Sequence, residues 1–528
     1  MSRLIKNAVD RSRPIDPAGS APIVRGAAAL LRSVPASTPT SDASDDRMLR
    51  LLKEAEQDHD NGRFKESIEK CSEIIHLTGD RYRLAHYRRL ASAVKANDFE
   101  YAAAHHLHAR SLAHDEEEQC LVDYTWVECL HAAGYYEDAF ELADSWVRKS
   151  KRSRLGLETA AGLMLSEMGR IAEAIERHEN VLAKDPGYNL ARWNLSINQL
   201  QAGRIPEAWA NYEIRWQMKE FLSEKRKFDV PRWHGEPLAD KKLLIWPEQG
   251  IGDEIRFASM LTDLVGRDAT VVVECTHKIV PLLRRSFPEF TIRPELAPQC
   301  RAPASSEGFD YEIPIGSLAA ILRPTLDDMI LGRRPWVTRV EADEQRMRAR
   351  LGLDEKTLLI GLCWRSGRQN LRRNQEYLSA EQLTPLRMIP NAAFVVLQYD
   401  ECGEEVARMR ALGLDILHLA DIDQKNDLVS AAALIGACDI VVSAGTAVAE
   451  LAASLGGPVL MFGRGVSQLK LGTGGVPWHP NTIFLDFDPE APLAVPRQII
   501  ENWDAILHWA SNVPGARASV DWAASRLA

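Results

Sequence analysis

Three stretches of this sequence place residues that could do chemistry directly after an apolar run. The first is Pro247-Glu-Gln-Gly-Ile-Gly-Asp253, which follows the β-rich run Leu243–Trp246. Gly250 and Gly252 would let the backbone approach a bound group, and free N–H groups at the start of a following helix attract negative charge. Asp253 would open that helix, so it could be its N-cap, a general base, or both.

This first stretch matches neither of two common nucleotide-binding fingerprints. Ile255 occupies the position of the third glycine in the dinucleotide fingerprint, and no Gly-Lys-Ser/Thr follows as it would in a P-loop. We therefore expect neither an NAD site nor a P-loop here.

The second stretch runs from residue 357 to 375 and contains no acidic residue but four arginines: Arg365, Arg368, Arg372 and Arg373. The predicted strand Leu358–Trp364 precedes them, so they would lie at the carboxyl end of a strand, where open sheets bind ligands. Guanidinium groups suit phosphate oxygens, which favours an anion site. Gln398, at the end of the next predicted strand, is assigned to the same pocket. The alternative is an exposed loop whose arginines pair with distant acids.

The third stretch follows the predicted strand at residues 440–443. Ser443, Gly445 and Thr446 would form the loop that starts a helix of small residues, where N–H groups and hydroxyls could hold a diphosphate. Glu450 lies one helical turn further on, on the side of Thr446, and could accept hydrogen bonds from ribose hydroxyls. The alternative for Glu450 is a partly buried carboxylate paired with one of the arginines.

Length and composition indicate an ordinary multidomain globular protein. The chain has 528 residues and a formal net charge of −10, with 45% hydrophobic and 26% charged residues. The acidic balance argues against a nucleic-acid partner. The eight cysteines show no zinc-ligand spacing, and no signal peptide or membrane span is evident. We therefore expect a cytoplasmic protein.

A repeat occupies the first part of the chain. Residues 1–45 read as a mobile tail, and residues 46–220 carry small residues 35, 37, 35 and 34 positions apart: Ser67, Ala102, Ala139, Ala174 and Ala208. This period is typical of helix-turn-helix solenoids of the tetratricopeptide kind, whose concave face usually holds a peptide or protein. The alternative is a spacer without a ligand.

The second part of the chain alternates β-rich and helical runs after a connector at 221–240. Such alternation predicts parallel sheets covered on both faces. We expect two Rossmann-like halves at 241–337 and 338–528, the second beginning with a helix at 338–351 and carrying a C-terminal crossover helix. The fold class predicted from these patterns is an α-solenoid followed by an α/β region of two Rossmann-like halves.

These motifs resemble bacterial tetratricopeptide proteins with a heptosyltransferase-like GT-B glycosyltransferase domain. The matching positions are Trp233, Gly235 and Leu238, the runs Glu248–Phe257 and Gly361–Arg365, and the segment Thr446–Val459. The layout is also similar to O-GlcNAc transferase and to alphaproteobacterial proteins that attach nonulosonic sugars to flagellin. Two positions depart from the family pattern: Gly445 replaces an Asp, and Glu450 replaces a His.

The resemblance implies two Rossmann-like domains that face a cleft, with a nucleotide-sugar donor held mainly by the second. The leading hypothesis is a metal-independent, inverting-type transfer of that sugar, with no other cofactor, to Ser or Thr of a protein held by the repeats, flagellin being one candidate. These residues do not determine whether the transfer inverts or retains the anomeric configuration. Asp253 would take the hydroxyl proton. The donor would contact Gly250, Gly252, Arg365, Arg368, Arg373, Gln398, Ser443, Gly445, Thr446 and Glu450. The alternatives are a transferase acting on lipopolysaccharide or another surface glycan, and a scaffold with a degenerate transferase fold.

Overall fold

A computed structural model describes residues 43–78, 82–149, 154–218, 221, 223–354, 356–367 and 376–525. The described residues form two compact units: a helical unit that extends to Leu195, and an α/β unit that comprises Ser196–Gly367 and the chain from Glu376 onward. The division thus falls within the segment that the repeats occupy, before residue 220. Nearly all of the predicted tail lies outside the described residues, as do Arg368, Arg372 and Arg373.

The helical unit is a run of helices in which each packs against the next. Its helices are α1 Ala43–Asp60, α2 Phe64–Thr78, α3 Arg83–Lys95, α4 Phe99–Ser111, α5 Glu116–Ala133, α6 Tyr136–Lys149, α7 Leu155–Glu167 and α8 Ile171–Lys184; α9 Asn189–Gln201 crosses into the α/β unit, where α10 Ile205–Tyr212 follows. Asp98 and Asp115 cap α4 and α5, and Gly134 ends α5 with φ +86°.

The repeat period is visible in the packing. All five small residues that defined the period are fully buried on the second helix of a pair. A small side chain there lets two helices approach closely, which is how stacked helix pairs share one core. Ion pairs follow the same period: Arg83 reaches Glu118 at 2.7 Å, and Arg177 reaches Asp144 at 2.6 Å.

The α/β unit contains two fully parallel sheets. The first has the order β3-β2-β1-β4 and the second the order β10-β9-β8-β5-β6-β7. The strands are β1 Lys241–Trp246, β2 Ala269–Cys275, β3 Thr291–Pro294, β4 Tyr311–Pro314, β5 Leu358–Cys363, β6 Ala392–Val396, β7 Ile416–Leu417, β8 Ile440–Ala444, β9 Val459–Gly463 and β10 Thr482–Asp486. The strands predicted at 243–246, 358–364 and 440–443 correspond to β1, β5 and β8, and the strand predicted to end at Gln398 corresponds to β6.

The helices of the α/β region lie between the strands of both sheets and after the last strand. They are α11 Ile251–Ala258, α12 Val280–Ser286, α13 Leu318–Leu322, α14 Leu326–Gly332, α15 Glu341–Arg350, α16 Ala380–Leu383, α17 Gly403–Ala411, α18 Leu428–Ala437, α19 Ala447–Leu455, α20 Ala494–Glu501, α21 Trp503–Ser511 and α22 Ala518–Ala524. The predicted fold class, a helical solenoid followed by two Rossmann-like halves of a GT-B fold, is confirmed. Within the described ranges, no helix has the length and apolar character needed to cross a membrane.

The strand orders locate the place where each sheet can bind a ligand. In the first half, β2 and β3 are added on one side of β1, and β4 is then added on its other side. In the second half, β6 and β7 lie on one side of β5, and β8 lies on the other. Ligands of open α/β sheets bind at such switch points, outside the carboxyl ends of the strands. The loops after β1, β5 and β8 are the three stretches singled out in the sequence.

Candidate functional site

The loop after β1 is anchored by a buried ion pair. Glu248 and Arg215 are both fully buried, and Arg215 donates from Nε and Nη2 to one Glu248 oxygen at 3.1 and 2.9 Å. The other Glu248 oxygen packs so closely on Gly316 that a Cβ there would lie 1.7 Å from it. Glu248 therefore has a structural role, holding the loop after β1 against the segment after β4.

Asp253 lies in the first turn of α11, where it is partly exposed. Helix α11 begins at Ile251 with Gly250 as its N-cap, so the prediction that Asp253 is the N-cap is wrong. Asp253 is instead the third helical residue, and its Oδ2 accepts a hydrogen bond from the Gly250 N–H at 3.4 Å. Its Oδ1 accepts one from Arg256 at 3.2 Å, and one third of the side chain stays exposed. The side chain therefore remains accessible to solvent.

The loop after β8 begins with a buried hydroxyl and ends in α19. Ser443 is fully buried, and its Oγ lies 3.4 Å from Oγ1 of Thr446, the N-cap of α19. Gly445 is exposed and donates its N–H to the Phe462 carbonyl at 3.1 Å. A Cβ at Gly445 would meet no atom within 4 Å in the described part of the chain. The space that the family Asp would occupy is therefore open.

Glu450 is buried and has two charged or polar partners. Arg256 donates to Glu450 Oε1 from Nε at 2.9 Å and from Nη2 at 2.6 Å, and the ring Nε2 of His479 lies 2.7 Å from Oε2. Burial alone would raise the pKa of Glu450, but Arg256 and His479 outweigh it and bring the pKa to about 2. Glu450 is thus a charged, paired carboxylate, as in the alternative interpretation, although its partner arginine is Arg256.

The two α/β halves meet where these loops converge. Helix α11 of the first half packs against α19 of the second. A Cβ added to Gly252 would lie 3.4 Å from the Cα of Ala447. Gly252 thus lies beside the first turn of α19, and Asp253, Arg256 and Glu450 form a continuous chain of hydrogen bonds from one half to the other.

In the loop after β5, Arg365 pairs with acidic side chains that come from outside its own segment. Arg365 donates from Nε to Glu405 at 2.9 Å and from Nη1 to Asp400 at 2.5 Å. Gln398 donates to the Arg365 carbonyl at 2.9 Å, which ties the ends of β5 and β6 together. Arg365 therefore forms the ion pairs foreseen in the alternative interpretation of the arginine cluster, and the structure gives Gln398 the role of holding this loop.

Cys363 ends β5 beneath the switch point of the second half. Its Sγ lies 3.7 Å from the Thr446 hydroxyl and 3.7 Å from Oε1 of Gln398. Burial raises the pKa of the Cys363 thiol to about 11, so it remains protonated at neutral pH. In the described ranges, no group of three or more His, Cys, Asp or Glu side chains is arranged to hold a metal ion.

Two central residues of this site were not identified from the sequence. Arg256 is one turn after Asp253, a spacing at which helical side chains meet, and this signal was available. His479 contacts Glu450 from a loop 29 residues away in sequence, before β10. Its only sequence signal is the dipeptide Trp478-His479, which has no recognisable pattern by itself.

Comparison with known proteins gives one sequence relative. No family model matches the chain. A region of 296 residues is 33% identical to Protein FlbA of Caulobacter vibrioides and covers 53% of this chain and 49% of that protein. The chain therefore spans about half the length of this relative.

Comparison with solved structures gives distant likenesses. The ADP-heptose LPS heptosyltransferase II of E. coli is 15% identical and matches 50% of this chain and 98% of its own, with a TM-score of 0.38. An O-GlcNAc transferase variant from Thermobaculum terrenum is 12% identical and matches 92% of this chain and 97% of its own, with a TM-score of 0.29. Because both TM-scores lie below 0.5, no conclusion about this chain rests on them.

Proposed function

We propose that this chain is a glycosyltransferase that moves a sugar from a nucleotide-sugar donor to a Ser or Thr hydroxyl of a protein acceptor held by the helical repeats. One observation carries the proposal. The partly exposed Asp253 carboxylate lies at the switch point of one half, and the preceding residue, Gly252, lies beside the first turn of α19, which follows the switch-point loop of the other half. A proton acceptor and a helix N-terminus suited to an anion thus border one crevice.

In the proposed reaction, Asp253 takes the proton of the acceptor hydroxyl as its oxygen attacks the anomeric carbon of the sugar. The bond between that carbon and the diphosphate oxygen breaks, and the nucleoside diphosphate leaves. The N–H groups at the start of α19 and the loop at Ser443, Gly445 and Thr446 would stabilise the negative charge that develops on it, an effect typically worth several kcal/mol.

The helical unit is proposed to supply the acceptor site, as stacked helix pairs commonly bind peptides. Flagellin is the candidate acceptor because the motif resemblance extends to flagellin glycosyltransferases. This assignment of the acceptor is independent of the assignment of Asp253, and a surface glycan in place of a protein would leave the chemistry at Asp253 unchanged.

The experiment combines purified full-length protein, flagellin and a panel of nucleotide sugars, followed by the intact mass of the acceptor. We expect a mass increase of one sugar residue with one of the donors. Asp253→Asn should lower kcat by about 10²- to 10⁴-fold, because general base catalysis is typically worth that much. Asp240→Asn is the matched control, since Asn tolerates the left-handed φ of +57° at that exposed position.

A scaffold without transferase activity is the second candidate, and the pairing of both Arg365 and Glu450 with other side chains favours it. It predicts no mass increase on flagellin or on a lipopolysaccharide acceptor, whether or not a donor binds. Full activity of the Asp253→Asn variant would refute the assignment of Asp253 while leaving the transferase itself in place.

A further inference from the structure

All three nitrogens of the Arg256 guanidinium group donate hydrogen bonds at the junction of the two halves. Nη1 donates to Asp253 at 3.2 Å, while Nε and Nη2 both donate to one oxygen of Glu450. The side chain is 14% exposed, and its guanidinium carbon lies 5.9 Å from the centre of the Trp478 ring, within reach of a cation–π contact. This geometry leaves Arg256 little freedom to move.

The partners of Arg256 are themselves held in place. Glu450 is 3% exposed, and its second oxygen is 2.7 Å from the ring Nε2 of His479. His479 follows Trp478 directly, so a single loop before β10 supplies both the ring beside Arg256 and the partner of Glu450. The residues that hold Arg256, namely Glu450, Trp478 and His479, therefore belong to the second half, whereas Arg256 itself belongs to the first.

Asp253 depends on this arrangement for its orientation. Its contact with the Gly250 N–H is long, at 3.4 Å, whereas the bond from Arg256 is charge-assisted and shorter. Arg256 thus restrains one carboxylate oxygen of a side chain that is one third exposed. Side chains that hold a reacting group in place in this way contribute through orientation, and a shift of 1 Å can cost about 100-fold in rate.

We propose that Arg256 is a positioning residue for Asp253, and that Glu450 and His479 hold Arg256 so that the carboxylate is correctly oriented only while the two halves are in contact. This inference rests on the proposed function, in which Asp253 is the general base. The competing interpretation is an ion pair that only joins the two halves.

The test measures kcat and the KM for the donor in Arg256→Lys, Arg256→Met and Glu450→Gln, together with the thermal midpoint of each variant. We expect kcat to fall about 100-fold in Arg256→Met, with a KM for the donor within about threefold of the parent, and to recover in part in Arg256→Lys. Glu450→Gln keeps an acceptor oxygen, so it should lower kcat by a smaller factor of about 10.

A matched control is Arg348→Lys, which alters another buried arginine of the α/β unit. It pairs with Asp439 at 3.2 Å, directly before β8 and so at the opposite end of that strand from the Ser443 loop. We expect it to lower the thermal midpoint and leave kcat unchanged. If Arg256→Met lowers the midpoint in the same way with an unchanged kcat, the pair is only structural and the inference is wrong, although the proposed function stands.

A double-variant cycle separates this inference from the proposed function. If Arg256 acts through Asp253, then Arg256→Lys has no further effect on kcat in the Asp253→Asn background. Independent, multiplying effects would overturn the positioning role even in an active enzyme. An inactive parent protein in every assay, with donor binding intact, would remove the proposed function and this inference together.

Discussion

The helical unit and the α/β unit differ in how completely their ion pairs are enclosed. In the helical unit the Arg177–Asp144 pair keeps its arginine 28% exposed, the Lys95–Glu128 pair keeps 10% and 5% of its side chains exposed, and the buried His178 stays neutral. In the α/β unit, Arg215 and Glu248 form a pair in which both side chains are completely buried. This fully enclosed pair lies at the base of the candidate site.

The two units also differ in the longest range of their ion pairs. Arg83 and Glu118 are 35 residues apart in the helical unit, and Arg177 and Asp144 are 33 apart, so these partners lie about one repeat apart. In the α/β unit, Arg256 and Glu450 are 194 residues apart. A repeat places its ion pairs wherever the helices stack, whereas the pair of Arg256 and Glu450 exists only when the two halves of the α/β unit have folded and met.

The largest effect is expected at Arg215. Arg215→Met should destabilise the α/β unit by about 4 kcal/mol, because it leaves the buried Glu248 without a cation. Urea unfolding combined with hydrogen exchange, which resolves the two units, measures the loss. The helical unit should keep its protection.

The double variant Arg215→Met with Glu248→Met tests the reason for this loss. Replacing both members of a buried pair by apolar side chains is often close to neutral, so most of the lost stability should return. If the double variant is as unstable as the single one, the loss comes from packing or from the second partner, Glu213, rather than from an unpaired charge.

Acidification should lower the stability of the helical unit and raise the stability of the α/β unit. Burial lowers the pKa of His59 and of His178 to about 3. The unfolded chain then binds protons near pH 6.5 that the folded helical unit does not, so its stability falls as the pH drops from 6.5 toward 3. Between pH 7 and pH 5, we expect each histidine to cost about 2 kcal/mol.

The α/β unit should gain stability over the same interval. Burial raises the pKa of Glu254 to about 7, against hydrogen bonds from Thr276 that lower it. The folded state therefore binds a proton between pH 7 and 4.5 that the unfolded chain does not, which adds about 2 kcal/mol by pH 5. The charged Glu450 has its pKa near 2, so its contribution is lost only below about pH 4.5.

Hydrogen exchange at pH 7 and pH 5, corrected for the intrinsic rates, measures both shifts in one sample. Glu254→Gln should abolish the gain in the α/β unit, and His178→Leu should remove about half of the loss in the helical unit. A parallel change in both units would show that titration of other groups dominates.

The fold was more predictable from the sequence than the site. The patterns that predict the fold are local, whereas the contacts of the site join residues that are far apart in the sequence. The spacing of Ser67, Ala102 and Ala139 predicted the helix pairs because the repeat is a local pattern. The loops after β1, β5 and β8 were predicted because strand and helix periods are local too. The partners of Arg365 were not, since Asp400 and Glu405 come from the loop after a neighbouring strand. Likewise, no local pattern brings His479 to Glu450.

A smaller effect is expected at Gly162 in the helical unit. A Cβ there would lie 2.6 Å from the ring of His178, both of whose ring nitrogens have no hydrogen-bond partner among the described residues. Gly162→Ala should destabilise the helical unit by about 2 kcal/mol, because an overpacked interior must displace the ring. Gly474→Ala is the control, as a Cβ at Gly474 meets no atom within 4 Å in the described chain.

The smallest effect tests whether the ion pairs between repeats contribute to stability. Arg177→Ala should cost the helical unit about 1 kcal/mol, since its partner Asp144 is 7% exposed and loses a charged donor. Arg47→Ala breaks the exposed pair with Glu73 on the same helical unit and should leave the unfolding midpoint unchanged. Equal effects of the two variants would mean that burial of the acid does not matter, and the contrast with the α/β unit would then depend on the buried pairs of that unit alone.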